Sequence, residues 1–259
     1  MNGMVLSAMP MGEYDKRLTI LTVERGKISV FARGARKPTS SLLACSQPFT
    51  FGEFTTYAGR NSYTVTNAQV ANYFQGMRDD LTKMYLGMYF CEFADYYTRE
   101  GNDEREVLKL LYQSLRALES GKYDARLVRR IFELKMISLE GEAPLVQECV
   151  CCGAKENLTH FFMRRDGVVC ADCAGADLKY PKAEAVAANP FQQFPSMYQL
   201  SPSALYAMQY IVQTPSTKLF NFTLKDEALA ELADVVEHYI KKHVNHEMKS
   251  LAVMEAMGM

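Results

Sequence analysis

The stretch ECVCCGAKENLTHFFMRRDGVVCADCAG, residues 148–175, holds five of the chain's seven cysteines and constrains the fold more than any other segment. Cys149 and Cys152 form one C-x2-C pair and Cys170 and Cys173 a second, with 17 residues between the pairs. That spacing is the one that brings four thiolates around a tetrahedral zinc ion. Gly153 follows the first pair and Gly175 lies just past the second, where a tight knuckle favours a residue without a Cβ. Between the pairs, Phe161-Phe162-Met163 and Val168-Val169 flank Arg165-Asp166-Gly167, a hairpin pattern, so the whole reads as a zinc ribbon. Cys151 is a fifth thiol, but only Cys149 and Cys152 keep the two-residue spacing, and Cys151 is expected to stand aside. Four sulfurs fill the zinc shell and leave no position for water, so the metal is expected to be structural. A catalytic zinc would need three protein ligands, with His160 replacing a cysteine, and buried cysteines without metal are the remaining alternative.

The rest of the chain separates by period. Residues 4–71 read as strands: MVLSAM (4–9), KRLTILTVE (16–24), KISVFARG (27–34), FTFGEFTTYAG (49–59) and SYTVTNAQVAN (62–72). Leu18 and Ile20 alternate with their neighbours, as do Ile28, Val30 and Ala32, and Arg25-Gly26 joins the two runs as a hairpin. Five strands in about 70 residues is the size of an OB-type barrel. From Met77 the apolar residues recur at helical spacing, giving helices over 77–99, 103–120 and 125–140, the last capped by Asp124 and stopped by Gly141 and Pro144. A connector with room for a short helix covers 180–199; Ser201-Pro202 starts a further helix, and one long helix is expected over 225–248. The fold class is therefore α+β and multidomain: an OB-type barrel over residues 1–75, a helical domain over 76–147 and 176–259, and the four-cysteine zinc ribbon over 148–175 inserted between its two parts.

Charge is balanced overall, with 29 basic and 30 acidic residues, but residues 1–75 carry eight Lys and Arg against four acids. Arg25, Lys27, Arg33, Arg36 and Lys37 fall within thirteen residues that contain no acid. Strand alternation puts Arg25, Lys27, Phe31 and Arg33 on one face, an aromatic ring among cations, which is the platform that single-stranded nucleic acid prefers. Lys16, Arg17 and Arg60 are candidates for the same surface, and Arg126, Arg129 and Arg130 form a candidate second basic patch on the third helix, near Glu133. His238, His243 and His246 miss the i, i+4 spacing of a helical metal pair and read as helix surface. Tyr85, Tyr89, Phe93, Tyr96 and Tyr97 read as core or a partner groove. No phosphate-binding glycine loop, nucleophile elbow or HExxH helix is present, which favours a binding protein over an enzyme. No apolar run is long enough to span a membrane and no signal peptide is evident, so a cytoplasmic protein is expected. A zinc-stabilised protein–protein adaptor with a merely solvated hairpin is the alternative class.

Several segments together resemble the RecO family of bacterial recombination mediators. They are Gly12-Glu13-x-Asp15-Lys16, TVERGKISVFARGARKPTSS (22–41), Gln47-Pro48-Phe49, RRIFELKMISLEGEAPLVQECVCCG (129–153) and HVNHEMKSLAVM (243–254). The resemblance implies an OB fold, a helical domain and a zinc ribbon. It also implies binding of single- and double-stranded DNA, annealing of complementary strands, and action with RecR to place the RecA recombinase on DNA coated by single-strand-binding protein. A groove on the helical domain for the tail of single-strand-binding protein is implied too, without residues. Some family members lack the zinc cysteines; here both pairs stand.

Overall fold

A computed structural model describes residues 1–59, 62–179 and 195–258 of the chain. Arg60, Asn61 and most of the expected connector, including its short helix, lie outside the described residues.

The alternation of apolar residues closes a barrel. Strands β1 (Asn2–Met11), β2 (Asp15–Thr22) and β3 (Gly26–Ala32) form an antiparallel meander, followed by the single-turn helix α1 (Leu42–Cys45), β4 (Phe51–Ala58) and β5 (Tyr63–Asn72). The order around the closed barrel is β1-β2-β3-β5-β4, with β3 and β5 parallel and β4 returning to β1, which is OB topology. Val5, Leu18, Ile20, Ile28, Val30, Phe54 and Val65 fill the interior, and α1 adds Leu42 and Cys45 to it. Barrel closure leaves no strand edge to template aggregation.

Helices α2 (Leu81–Tyr97), α3 (Arg105–Ser120) and α4 (Ala125–Leu139) follow. Asp80 caps α2 by accepting from the Lys83 N–H at 3.1 Å, and Asp124 caps α4 by accepting from that of Arg126 at 2.8 Å. Strands β6 (Leu158–Phe162) and β7 (Gly167–Cys170) form the ribbon hairpin, helix α5 (Ala171–Lys179) leaves it, and β8 (Met197–Gln199) pairs back onto β6. Helices α6 (Pro202–Gln213), α7 (Asp226–His243) and α8 (Lys249–Ala256) complete the chain. The helix expected over 225–248 thus stops five residues early, at His243, and a further helix, α8, follows beyond the expected range. Val244 leaves helical conformation (φ −99°, ψ 102°), and the Lys249 and Ser250 N–H groups each donate to the Glu92 carboxylate of α2 at 2.9 Å. A carboxylate supplied by a distant residue thus caps the start of this second helix. Among the described residues, no helix is long and apolar enough to cross a membrane.

The chain divides into two compact units, Met1–Lys122 with Glu247–Met259, and Tyr123–His246. In the first unit the barrel is accompanied by α2, α3 and α8; Tyr89 and Phe93 of the expected aromatic group are buried, as is their neighbour Phe90. In the second, α4, α6 and α7 pack together with the ribbon sheet, where Phe161 of β6 meets the Tyr239 ring at 5.6 Å.

Candidate metal centre and nucleic-acid interface

The two cysteine pairs converge. The sulfurs of Cys149, Cys152, Cys170 and Cys173 all lie within 4.8 Å of one another, so the four could hold one metal ion. The Cys152–Cys170 separation is 3.7 Å; thiolates about 2.3 Å from a tetrahedrally bound zinc stand roughly 3.8 Å apart. Local backbone builds the knuckle. The Gly153 N–H donates to the Cys149 carbonyl at 2.8 Å, the Cys149 N–H donates to that of Ala154 at 2.7 Å, and Gly153 closes the turn at φ +76°. Burial would push the Cys149 thiol up, but backbone N–H groups of Cys170, Cys151 and Cys152 donate to its sulfur and bring it down to about 6. Such a thiol is largely thiolate at neutral pH, the form that binds a metal. Phe162, Val169 and Ala174 pack beneath the cluster.

Cys151 is exposed and does not belong to this group. Neither does His160, whose Nδ1 lies 2.9 Å from the Thr159 hydroxyl. One expectation is corrected: Gly175 does not form a knuckle, because the second pair runs directly into α5 and Gly175 sits within that helix. An N-terminal helical turn presents Cys173 to the cluster instead.

The basic hairpin has two ends with different fates. Near the β2–β3 turn, Gly26 stands at φ +64°, and a Cβ there would lie 2.3 Å from the Arg99 carbonyl oxygen. The turn is docked against the segment after α2: the Lys27 N–H donates to the Arg99 carbonyl at 3.1 Å and the Gly101 N–H to that of Arg25 at 2.9 Å. The Lys27 ammonium forms an ion pair with Asp95 at 2.9 Å and also binds the Asp95 carbonyl. Lys27 is thereby spent within the fold, whereas the exposed Arg25 side chain remains at the rim of the docked turn.

At the other end, Arg17, Arg33, Arg36 and Lys37 are exposed, and none has a carboxylate partner among the described residues. Arg17 Nε donates to the Ser29 hydroxyl at 2.8 Å, directly beside the half-buried Phe31 that pairs with it in register. Arg36 donates to the Gly12 carbonyl at 3.1 Å, and the Lys37 ammonium stands 5.4 Å from the centre of the Tyr14 ring. The Gly34 N–H donates to Asp15 at 2.7 Å, which ties the loop after β3 to the start of β2. Lys16 is corrected off this surface. It is 9% exposed, and its ammonium donates to the Ser46 carbonyl and hydroxyl at 3.1 and 3.0 Å. Burial, with Arg36 nearby, lowers its pKa. The signal was present in the sequence, since Lys16 shares parity with the inward Leu18 and Ile20. Arg60 lies outside the described residues.

Two family models match the chain: "Recombination protein O N terminal" over residues 1–74 and "Recombination protein O C terminal" over 78–252. The chain belongs to the RecO family. A DNA repair protein RecO of Bacillus pumilus is 32% identical over 255 residues, covering 98% of this chain and 93% of the relative. That of Bacillus subtilis is 29% identical over 255 residues, with the same coverage, and that of Acetivibrio thermocellus 27% over 257 residues, 99% of this chain and 96% of the relative.

In this RecO-family chain the second basic patch is corrected as well. Arg126 pairs with Asp124 at 2.6 Å and Asp226 at 2.8 Å, Arg129 with Glu133 at 2.8 Å, and Arg130 with Glu133 and Glu237 at 2.9 Å each. Glu133 is buried, so Arg129 and Arg130 neutralise a carboxylate of the fold, while Arg126 stays exposed but is paired with two surface carboxylates, and the three do not form a free basic cluster. His243 Nε2 meets Asp166 at 2.9 Å and His238 lies 3.3 Å from Asp234, so both serve the helix surface and its contacts. Missed by charge counting were large exposed side chains of the barrel: Met9, Met11, Tyr14 and Tyr57.

Proposed function

We propose that this chain is a DNA repair and homologous recombination mediator that binds single- and double-stranded DNA, anneals complementary strands and acts without catalysis. The observation that carries the reading is the free end of the hairpin, on an OB barrel: Arg17 and Arg33 on the face that carries Phe31, with Arg36 and Lys37 in the loop that follows, none ion-paired with a carboxylate among the described residues. Two DNA strands repel each other through their phosphates. A surface that neutralises those phosphates releases counterions and lets the strands approach, so both binding and annealing weaken with salt. Membership of the family, together with relatives named DNA repair protein RecO, supports this role. On the same ground we assign RecR and single-strand-binding protein as partners, RecA as the recombinase loaded in consequence, and the cytoplasm, at the nucleoid, as the place of action.

We assign zinc to the four-cysteine group. Four thiolates at this spacing suit zinc, and its closed shell supplies stability to the ribbon rather than an open coordination site.

Titration with labelled single-stranded DNA at two salt concentrations tests the reading. Charge reversal at Arg33, Arg36 and Lys37 is expected to weaken binding at low salt and to reduce the slope of log affinity against log salt by about 2. Unchanged affinity and slope would overturn the assignment of this face. A protein–protein adaptor would show no salt-dependent DNA binding at all.

A further inference from the structure

The barrel register lines up a row of side chains that the charge pattern does not reveal. Met9 pairs with Arg17, Arg17 with Phe31, Phe31 with Thr64, and Thr64 with Tyr57. Paired residues project from the same face of a sheet, so the five side chains form one line across all five strands on the outer surface, with a step of about 4.8 Å. Its two ends are the most exposed large apolar side chains of the barrel strands among the described residues, Met9 at 64% and Tyr57 at 69%. Beside it runs a second line, Ser7–Thr19–Ser29, which forms part of the lining of a groove of about 500 Å³ bounded by Lys27, Asp95 and Arg99. That volume is of the size that admits a single small ligand.

The chemistry of the row differs from that of the loop beside it. Arg33, Arg36 and Lys37 offer charge, which any phosphate backbone satisfies. Phe31 and Tyr57 offer ring faces, and a base can stack on them only when its own face is uncovered, which in a duplex it is not. Phe31 and Tyr57 lie two strands apart, roughly 10 Å, a span that a few nucleotides of one strand cover. Arg17 stands next to Phe31 in the row, on the side away from Tyr57, positioned for a phosphate that flanks the base on Phe31.

We propose that the row Met9–Arg17–Phe31–Thr64–Tyr57 is a stacking track for unpaired bases, which makes this surface favour single strands, whereas the loop cations hold single and double strands alike. The proposal rests on the DNA-binding reading above, and the test separates the two. Fluorescence anisotropy compares a thymidine oligonucleotide with a blunt duplex of equal length, using the full chain. Tyr57→Ala, at an exposed position where folding is not at stake, is expected to weaken single-strand binding about tenfold and duplex binding no more than twofold. Tyr57→Phe keeps the ring and is expected to bind like the wild type. Phe31→Leu keeps most of the volume and is expected to repeat the Tyr57→Ala result. The triple charge reversal at Arg33, Arg36 and Lys37 is expected to weaken both ligands. Equal losses on both ligands for Tyr57→Ala, or no loss on either, would overturn the track. A triple variant that loses nothing would instead overturn the DNA reading of the loop.

Discussion

The cysteine ribbon and the basic hairpin are similarly dense clusters of one chemistry, yet they keep their residues differently. All four cysteines selected by spacing arrive at one point. Of the cations grouped by the hairpin, Lys27 is consumed by Asp95 and Lys16 by Ser46, while Arg17, Arg33, Arg36 and Lys37 stay available. Thiols that are to hold one ion must reach a common point, so their mutual spacing is itself the requirement. Cations act on a partner outside the chain, and their value depends on what the rest of the fold leaves uncovered. A cluster of the first kind can be read from a segment, whereas one of the second kind needs the whole fold.

The largest effect expected from this contrast falls on the ribbon. Cys149→Ser or Cys170→Ser should abolish metal retention and forfeit much of the roughly 10 kcal/mol of binding free energy that such a site supplies. Cys151→Ser should retain both metal and melting temperature, as read by elemental analysis and thermal denaturation; equal metal loss in all three variants would show the ligand set to be wrong. Next comes the docked end of the hairpin. Gly26→Ala forces a Cβ against the Arg99 carbonyl at a positive φ, and urea denaturation should show a loss of about 2 kcal/mol. Third, Lys27→Ala should lower stability by no more than about 1 kcal/mol, because the Asp95 pair is partly exposed, and should leave DNA affinity within twofold. A loss matching that of the free-end variants would erase the distinction between the two ends.

The smallest effect concerns the neutralised arginines of α4. Burial would raise the Glu237 carboxyl, but Lys241 and Arg130 hold it below its usual 4.5. A carboxylate with a depressed folded pKa stabilises the fold above its unfolded value and loses that contribution as pH falls through the folded one. Glu237→Gln should therefore flatten the fall in stability below about pH 4.5, as followed by urea denaturation at stepped pH.

Much of the fold was legible because it rests on local rules. The alternation of Leu18 and Ile20 and of Ile28 and Val30 fixed which sides of β2 and β3 face the barrel interior, and Asp124 and Ser201 marked helix starts that the structure keeps. What escaped depends on residues far apart in the chain. The break between α7 and α8 is set by Glu92 of α2, β8 joins the ribbon across the segment from 180 to 194, and Lys16 is held by Ser46. The candidate site divides in the same way. Phe31 and Arg33 were visible from strand alternation, whereas Tyr57 comes into line with Phe31 only through pairing of β4 and β3 with β5.

The docking of α8 on α2 carries a consequence for synthesis. The first compact unit begins with the barrel but is completed only by residues 247–259, and everything in the second unit is translated in between. The surface of α2 that α8 covers, with the Glu92 carboxylate at its edge, stays open on the ribosome until the second unit has already emerged. Domains fold as they emerge, so the ribbon and its helices are expected to form before the first unit is closed, and a ribosome stalled ahead of residue 249 would display a first unit whose α2 is still uncovered.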